Sequence, residues 1–453
     1  MTLHQWHPPG SPDEPVAKRI GTIAAEFIAR HPELSPFLLI DRGVLLGQLA
    51  RWNRLLPTVP PYYAVKANID PVILRELFEA GANADVASAF EIDVCRAVGV
   101  PGERMIVSNP RKDRDTILSM RDIRAFATAV DSEEEIDKLT LAGMPSRDYQ
   151  PVLFIRIKVP TKGVTQDLSS KFGVRVLPPK TDPTVEPLPP VQLDAVRSIA
   201  KHARSAGFTK IGLSFHVGTQ CSDPRIYVSA LRVCRSVIDD LASDGIRVGW
   251  LDIGGGFADL RTLAARGTDV ETLLREIGRA VARFTGTGIQ LLAEPGRHLV
   301  ADAGWLVTSV TYDRATDVTG RRVQIDDGVY RTLSGRIHDD REYQLHALRC
   351  GGLPFTGVTV QAAVWGCSCD SFDKVSDAVV LPADVQIGDR LIAGCLGAYS
   401  TSFGSNTNGF QPAPSVLFSG ESGDRRFVLS PMRDQNAVLL KHIGHWAGTG
   451  NPA

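Results

Sequence analysis

Eight short apolar runs, with helical periodicity between them, restrict this chain to very few folds. They are YYAVKA (62–67), ANADVAS (82–88), RMIVSN (104–109), RAFATAV (124–130), VLFIRIK (152–158), IGLSFHV (211–217), VGWLDIG (248–254) and IQLLAEP (289–295). Between them lie amphipathic segments such as PVILRELFEAG (71–81), SAFEIDVCRAVG (88–99) and DSEEEIDKLTLAG (131–143). Near-continuous apolar strands alternating with helices form a parallel sheet covered on both faces. Eight such units predict a sheet closed into a (β/α)8 TIM-like barrel. A doubly wound open sheet is the alternative on pattern alone. The polar residues at the ends of the runs favour the barrel: Lys66, Asp85, Ser108, Asp131, Arg156, His216, Asp252 and Glu294. A barrel gathers its strand C-termini into one mouth, where a site can be assembled.

From about residue 304 the pattern changes. WLVTSVTYDR, RRVQIDDGVY, VTVQAAVW, DAVVLP, DRLIAGCL and RRFVLSP are short, strand-like and broken by glycine and proline. We therefore expect a barrel over residues 41–303 and a second, mostly β domain over 304–453. The stretch 159–190 is too long for a plain barrel loop and reads as a lid or binding loop. Residues 15–31 (PVAKRIGTIAAEFIARH) read as an amphipathic helix.

Composition excludes several classes of function. The 50 basic and 51 acidic side chains nearly cancel, so counterion release offers no drive toward nucleic acid. No apolar run reaches the 18 or so residues a spanning helix needs, so no membrane partner is expected. The opening MTLHQWHPPGSPDEP lacks the basic-then-apolar order of a secretory signal. The seven cysteines (Cys95, Cys221, Cys234, Cys350, Cys367, Cys369 and Cys395) are odd in number and scattered. That argues against a disulfide framework and for a reducing cytoplasm. Cys367 and Cys369 form a C-x-C pair with no second pair at zinc spacing, so no metal is expected.

Certain strand-end residues carry chemistry. Lys66 ends an apolar strand; it reads either as a snorkelling lysine or as a desolvated amine able to form a Schiff base with an aldehyde. Gly254-Gly255-Gly256 follows VGWLDI directly. A glycine triplet is often only a tight turn, but at a barrel mouth its amides can close around a phosphate. Glu294-Pro295-Gly296-Arg297 ends the eighth run in the same way, with Arg297 available for the charge. His216 reads as a core histidine or as a ring stacked on a flat cofactor. Asp370 beside Cys369 reads as chance composition when taken alone. An amine, a phosphate cradle, a carboxylate and a stacking ring at one mouth are together what pyridoxal 5′-phosphate requires.

These motifs resemble a known family. YYAVKAN, DVASAFE, FATAVDSEEEI, SSKFG, SFHVGTQC, LDIGGGF, AEPGR, DDGVY, WGCSCD and LGAYS occur in the order found in the fold-type III, pyridoxal-phosphate-dependent ornithine/diaminopimelate/arginine decarboxylases, over residues 35–435. The resemblance implies a barrel followed by an alanine-racemase-like β domain, to which residues 1–40 contribute. It implies that Lys66 is the Schiff-base lysine, that Glu294 pairs with the pyridine N–H and that His216 stacks on the ring. Thr219, Gly254, Gly255, Gly256, Gly296, Arg297 and Tyr399 would hold the phosphate. Thr219 stands where the family more often has serine, and its hydroxyl is kept. Asp85 and Arg156 match supporting positions around the cofactor. Cys369 matches the cysteine that protonates the α-carbon. The active site would form between two copies of a homodimer, with Cys369, Asp370 and Tyr399 acting on the partner's barrel.

The resemblance also bears on the substrate. Aspartate after the catalytic cysteine, here Asp370, is usual in diamine-forming members. Asp339 aligns with the other acid that meets a distal ammonium, and Tyr330 and His338 flank the same pocket. Charge-assisted hydrogen bonds of this kind each contribute about 1.5–3 kcal/mol and repel a substrate ending in a carboxylate. Ornithine or lysine is thus favoured over diaminopimelate. The run His338-Asp339-Asp340 departs from the family's aromatic-aspartate-histidine pattern, which leaves Asp340 as an alternative contact and a longer or guanidino substrate as an alternative fit. A racemase of the same fold would place arginine where Glu294 stands. A non-catalytic regulatory relative would lose Lys66 or Cys369.

Overall fold

All eight apolar runs become parallel strands in the computed structural model, which describes residues 2–159, 161, 164, 171–177, 190–284, 286–316 and 320–431. In chain order the barrel strands are Tyr62–Ala64, Asn83–Val86, Met105–Val107, Ala127–Val130, Val152–Lys158, Ile211–Ser214, Val248–Asp252 and Gln290–Leu292. Each pairs in parallel with the next. A parallel bridge from Pro61 to Ala293 closes the ring, and the Tyr62 amide donates to the Ala293 carbonyl at 2.8 Å. Tyr62, Ile106, Ala127, Val152, Phe154 and Leu292 form one buried apolar cluster within it. Burial of both sheet faces is why these strands read as continuous apolar runs.

The connecting helices begin where short polar side chains satisfy their first amides. The Ser88 and Ser132 hydroxyls accept from the amides of Glu91 and Glu135. The Glu91 carboxylate in turn accepts from the Ala87 amide at 2.6 Å. DVASAFE is therefore a strand end followed by a capping device close to a capping box.

The chain separates into two units. One comprises Leu46–Ile69 and Leu74–Leu299, and holds the barrel; the other comprises Met1–Leu45, Asp70–Ile73 and Val300–Ala453. In the second unit a sheet runs from Leu3–Trp6 through His346–Cys350, Arg390–Gly394, Gly304–Thr316, Gly320–Ile325 and Thr359–Trp365 to Lys374–Pro382. Phe37–Asp41 joins it, antiparallel to the strand Gly304–Thr316 and parallel to Ser415–Ser419, which pairs with Arg426–Leu429. The amphipathic helix spans Glu14–Arg30, and Ala17, Ile20, Ile23, Ala24 and Phe27 pack in one cluster with Phe37, Trp305, Leu348, Ile392 and Phe418. The predicted β runs after residue 304 all carry strands. The strands Phe37–Asp41, His346–Cys350 and Ser415–Ser419 are additions that the pattern does not single out.

All seven cysteines are free. Among the described residues no helix is long and apolar enough to cross a membrane. Most of the 159–190 loop, including Ser169 and Ser170 of the SSKFG motif, lies outside the described residues.

Candidate active site

Lys66 lies in the single 3-10 turn Val65–Ala67, directly after the first barrel strand. The Tyr63 hydroxyl donates to the Asn68 carbonyl at 3.0 Å and holds the chain beyond that turn. Lys66 Nζ donates to Asp85 Oδ2 at 3.1 Å, and the lysine side chain is 42% exposed whereas Asp85 is buried. The other oxygen of Asp85 accepts from the Ser108 hydroxyl. An amine held by one carboxylate at an open mouth is positioned but still reachable, which is what covalent chemistry at nitrogen requires.

Glu294 follows the eighth strand, and Asp252 ends the seventh. Both are buried. Burial raises the Glu294 pKa, with the charge of Asp85 adding to the rise and Lys66 opposing it. Burial also pushes Asp252 well above the usual carboxylate range, and the charge of Glu294 adds to that. Two carboxyl groups in a dry site cannot both ionise cheaply.

The His216 pKa is well below the usual imidazole value because the ring is buried, with Arg156 and Lys66 adding to the fall. Its Nδ1 accepts from the Gly218 amide at 3.0 Å, which places the ring proton on Nε2. A neutral flat ring thus stands beside the amine and the acids. Arg156, on the fifth strand, lies over the Phe172 ring at 5.6 Å. Gly173, the last residue of SSKFG, donates its amide to Asp131 Oδ2 at 2.8 Å.

The glycine turn is shaped by the barrel's own backbone. Gly254 has φ +68, and a Cβ there would lie 1.9 Å from the Phe215 carbonyl oxygen. Gly256 has φ +99, and its Cβ would meet the Gly218 oxygen at 2.1 Å. A Cβ on Gly255 would crowd His216 Nε2 at 3.2 Å. Further bonds tie the loops together: Cys221 donates its amide to the Gly256 carbonyl at 2.8 Å, and Gln220 pairs side chain to side chain with Asp259 at 2.8 Å. Thr219 sits between these anchors. Gly296 and the buried Arg297 lead into the short helix Arg297–Val300.

In the other unit the structure brings Tyr330 and Asp370 together. The Tyr330 hydroxyl donates to Asp370 Oδ2 at 2.7 Å, and the Phe372 amide donates to Oδ1 at 2.9 Å. The Phe372 amide and then the tyrosine lower the Asp370 pKa, so its carboxylate is ionised. Cys369 is exposed, and its amide donates to Asn408 Oδ1 at 3.1 Å. Cys367 differs: burial pushes its thiol up to about 11, although Arg331 stands beside it. The C-x-C pair is therefore one accessible and one inert thiol. Phe403 links two predicted residues, with ring centroids 4.9 Å from His338 and 5.3 Å from Tyr399. Asp340 is ion-paired with Arg336 at 3.1 Å and is 93% exposed, whereas Asp339 is half-buried at the end of the helix Gly335–His338.

Sequence reasoning gave no role to Asp252, Gly218, Phe403 or Asn408. Asp252 carried the one usable signal, an acid at a barrel strand end.

The barrel donors fit one group. An amine beside a carboxylate suits an aldehyde, a buried acid suits a pyridine nitrogen, a neutral imidazole suits a flat ring and a turn without side chains suits a phosphate. Fold and donor set together define a pyridoxal-phosphate enzyme.

Comparison with known proteins narrows the class. The profile of the family described as pyridoxal-dependent decarboxylase, pyridoxal binding domain, matches residues 42–301. The lysine/ornithine decarboxylase of Selenomonas ruminantium is 31% identical over 392 residues, 85% of this chain and 90% of that protein. The arginine decarboxylase of Paramecium bursaria Chlorella virus superposes with a TM-score of 0.76 at 25% identity, covering 88% of this chain and all of that one (100%). The lysine/ornithine decarboxylase of Vibrio vulnificus, solved with cadaverine, gives 0.73 at 27% identity, covering 89% and 99%. The chain belongs to the pyridoxal-dependent decarboxylases, which makes it a carbon–carbon lyase.

Proposed function

We propose that the enzyme decarboxylates a basic L-amino acid with a distal ammonium group, ornithine or lysine, to the corresponding diamine. The observation that carries this reading is Asp370, held ionised by Tyr330 and the Phe372 amide one residue after the exposed Cys369. An ionised acid held in place suits an ammonium and disfavours a carboxylate at the same position. Of the two acids upstream, Asp339 is the better partner, because it is half-buried at the end of the helix Gly335–His338, whereas Asp340 is exposed and ion-paired with Arg336.

Bound pyridoxal phosphate supplies the electron sink for the pair left on the α-carbon when carbon dioxide departs. The chain's own residues do the rest. Lys66, its amine positioned by Asp85, would be the residue that holds the aldehyde. Glu294 keeps a proton at the pyridine nitrogen, and His216 supports the ring without adding charge. The turn 254–256 with Thr219, Gly296, Arg297 and Tyr399 holds the phosphate, and Asp85 and Arg156 support the cofactor's surroundings. Cys369 delivers a proton to the α-carbon, so that one proton is taken up for each carbon dioxide released. We read residues 1–40 and 304–453 as the β domain and 41–303 as the barrel. The working form is a homodimer in which Cys369, Asp370 and Tyr399 serve the partner copy's barrel.

The test is amine formation, followed by mass spectrometry with added pyridoxal phosphate, on ornithine, lysine, arginine and diaminopimelate. Turnover of ornithine or lysine well above the other two is expected. Preference for diaminopimelate would overturn the reading of Asp370 and Asp339.

A further inference from the structure

Two loops meet at the glycine turn, and one of them arrives in a conformation that needs an outside hold. Residues 215–221 follow the sixth barrel strand, and residues 253–259 follow the seventh. The Phe215 amide donates to the Asp252 carbonyl at 3.2 Å and the Cys221 amide to the Gly256 carbonyl at 2.8 Å, so the loops are joined at two points. Between those points Gln220 has φ +57, in the left-handed region that few residues other than glycine enter. Such a backbone persists only where its surroundings fix it.

Asp259 supplies the hold. Gln220 is 6% exposed and Asp259 is 0% exposed. Gln220 Nε2 donates to Asp259 Oδ2 at 2.8 Å, and the Asp259 amide donates to Gln220 Oε1 at 3.1 Å. The other carboxylate oxygen, Oδ1, accepts from the Thr262 amide at 2.8 Å and starts the helix Leu260–Ala265. Arg266, just past that helix, donates to the Gln220 carbonyl at 3.0 Å. Thr219 directly precedes Gln220, and Gly256 is bonded to Cys221 on its other side. We infer that Gln220 and Asp259 are positioning residues for the cofactor's phosphate: their clasp sets Thr219 against the glycine turn before the phosphate arrives. This rests on the cofactor reading above.

The donors and acceptors of the clasp can be exchanged. Gln220→Glu alone puts two groups that only accept across the 2.8 Å contact. In Asp259→Asn alone, an oxygen kept on Thr262 leaves the new NH2 facing that of Gln220. Turning Gln220 over brings its NH2 against the residue 259 amide instead. The double variant Gln220→Glu/Asp259→Asn satisfies every contact with one donor reversed, at unchanged net charge.

The test titrates apo-protein with pyridoxal phosphate and with pyridoxal, which keeps the ring and aldehyde but lacks the phosphate. Each single variant should bind pyridoxal phosphate at least about tenfold more weakly than wild type, and pyridoxal within about threefold of it. The double variant should return to within about threefold of wild type for both ligands. Equal weakening toward both ligands would show a general structural role and overturn the inference, as would a double variant no better than the singles. Should a single variant fail to fold, the double variant carries the test alone: it must fold and bind pyridoxal phosphate as wild type does, and its failure overturns the inference. Wild type that binds pyridoxal phosphate no more tightly than pyridoxal would bring down the phosphate reading itself, and the clasp's role with it.

Discussion

Replacing Gly254 by alanine asks whether the glycine turn is shaped by the barrel or by the cofactor. Gly254 has φ +68, and placing an L side chain in the left-handed region costs about 1–2 kcal/mol. Its Cβ would also stand 1.9 Å from the Phe215 carbonyl oxygen, which belongs to a backbone and cannot swing aside. Relieving such an overlap adds about 1–3 kcal/mol. Together these give about 2–5 kcal/mol, and in a unit of this size each kcal/mol lowers the melting temperature by about 2–4 °C. Gly254→Ala should therefore melt about 4–20 °C lower in the apo form. Gly249 supplies the control from the same strand: a Cβ there meets nothing within 4 Å. Gly249→Ala should be neutral or stabilising by up to about 1 kcal/mol, through the unfolded state. Differential scanning calorimetry on both variants, freed of pyridoxal phosphate, measures the contrast. An apo Gly254→Ala protein melting with wild type would refute the reasoning, because the turn would then owe its shape to the phosphate.

Three further predictions concern the site and its support. Lys66→Ala and Cys369→Ala should each abolish turnover, while a mixture of the two should recover roughly a quarter of wild-type activity if copies share sites; no recovery after proven subunit exchange contradicts sharing. His216 stays neutral when folded but protonates below its usual value of 6.5 when unfolded, so the unfolded chain binds more protons at low pH. Its contribution is complete above that pH and is lost as pH falls below it, so urea titrations of apo His216→Gln should show a shallower loss of stability on acidification than wild type. Away from the mouth, Lys112 and Glu135 form a fully buried pair at 3.1 Å, and burial brings Lys112 down to about 8. Glu135→Gln should cost about 3–5 kcal/mol in chemical denaturation, and a loss below about 1 kcal/mol would show that water reaches the lysine.

Much of this was legible because barrels write themselves into sequence locally. Strands buried on both faces are apolar throughout, and their last polar residues must lie at the mouth, so Lys66, Asp85, His216 and Glu294 stand out without any knowledge of contacts. The helix Glu14–Arg30 is legible from its period, but its docking against Phe37 and Trp305 is not, since those partners are set by long-range pairing. The strand Phe37–Asp41 escapes for the same reason: an apolar run of five takes its meaning from partners near residues 304 and 415. Asp252 was visible as a strand-end acid, yet its place beside the eighth strand depends on which strands adjoin when the ring closes. The two thiols of the C-x-C pair look alike in sequence and differ in burial and in the Arg331 guanidinium beside Cys367. Asp339 and Asp340 are sequence neighbours that the fold separates by burial, Asp339 half-buried and Asp340 exposed beside Arg336.

The central claim is that carbon dioxide leaves the substrate's α-carbon and a proton replaces it. The most direct test supplies the holoenzyme with L-lysine and L-ornithine carrying 13C in the carboxyl group. The account predicts labelled carbon dioxide and unlabelled diamine in equal amounts. Recovery of all the label in the amino acid, with its α-hydrogen exchanged or its configuration inverted, would contradict it and make the same barrel a racemase.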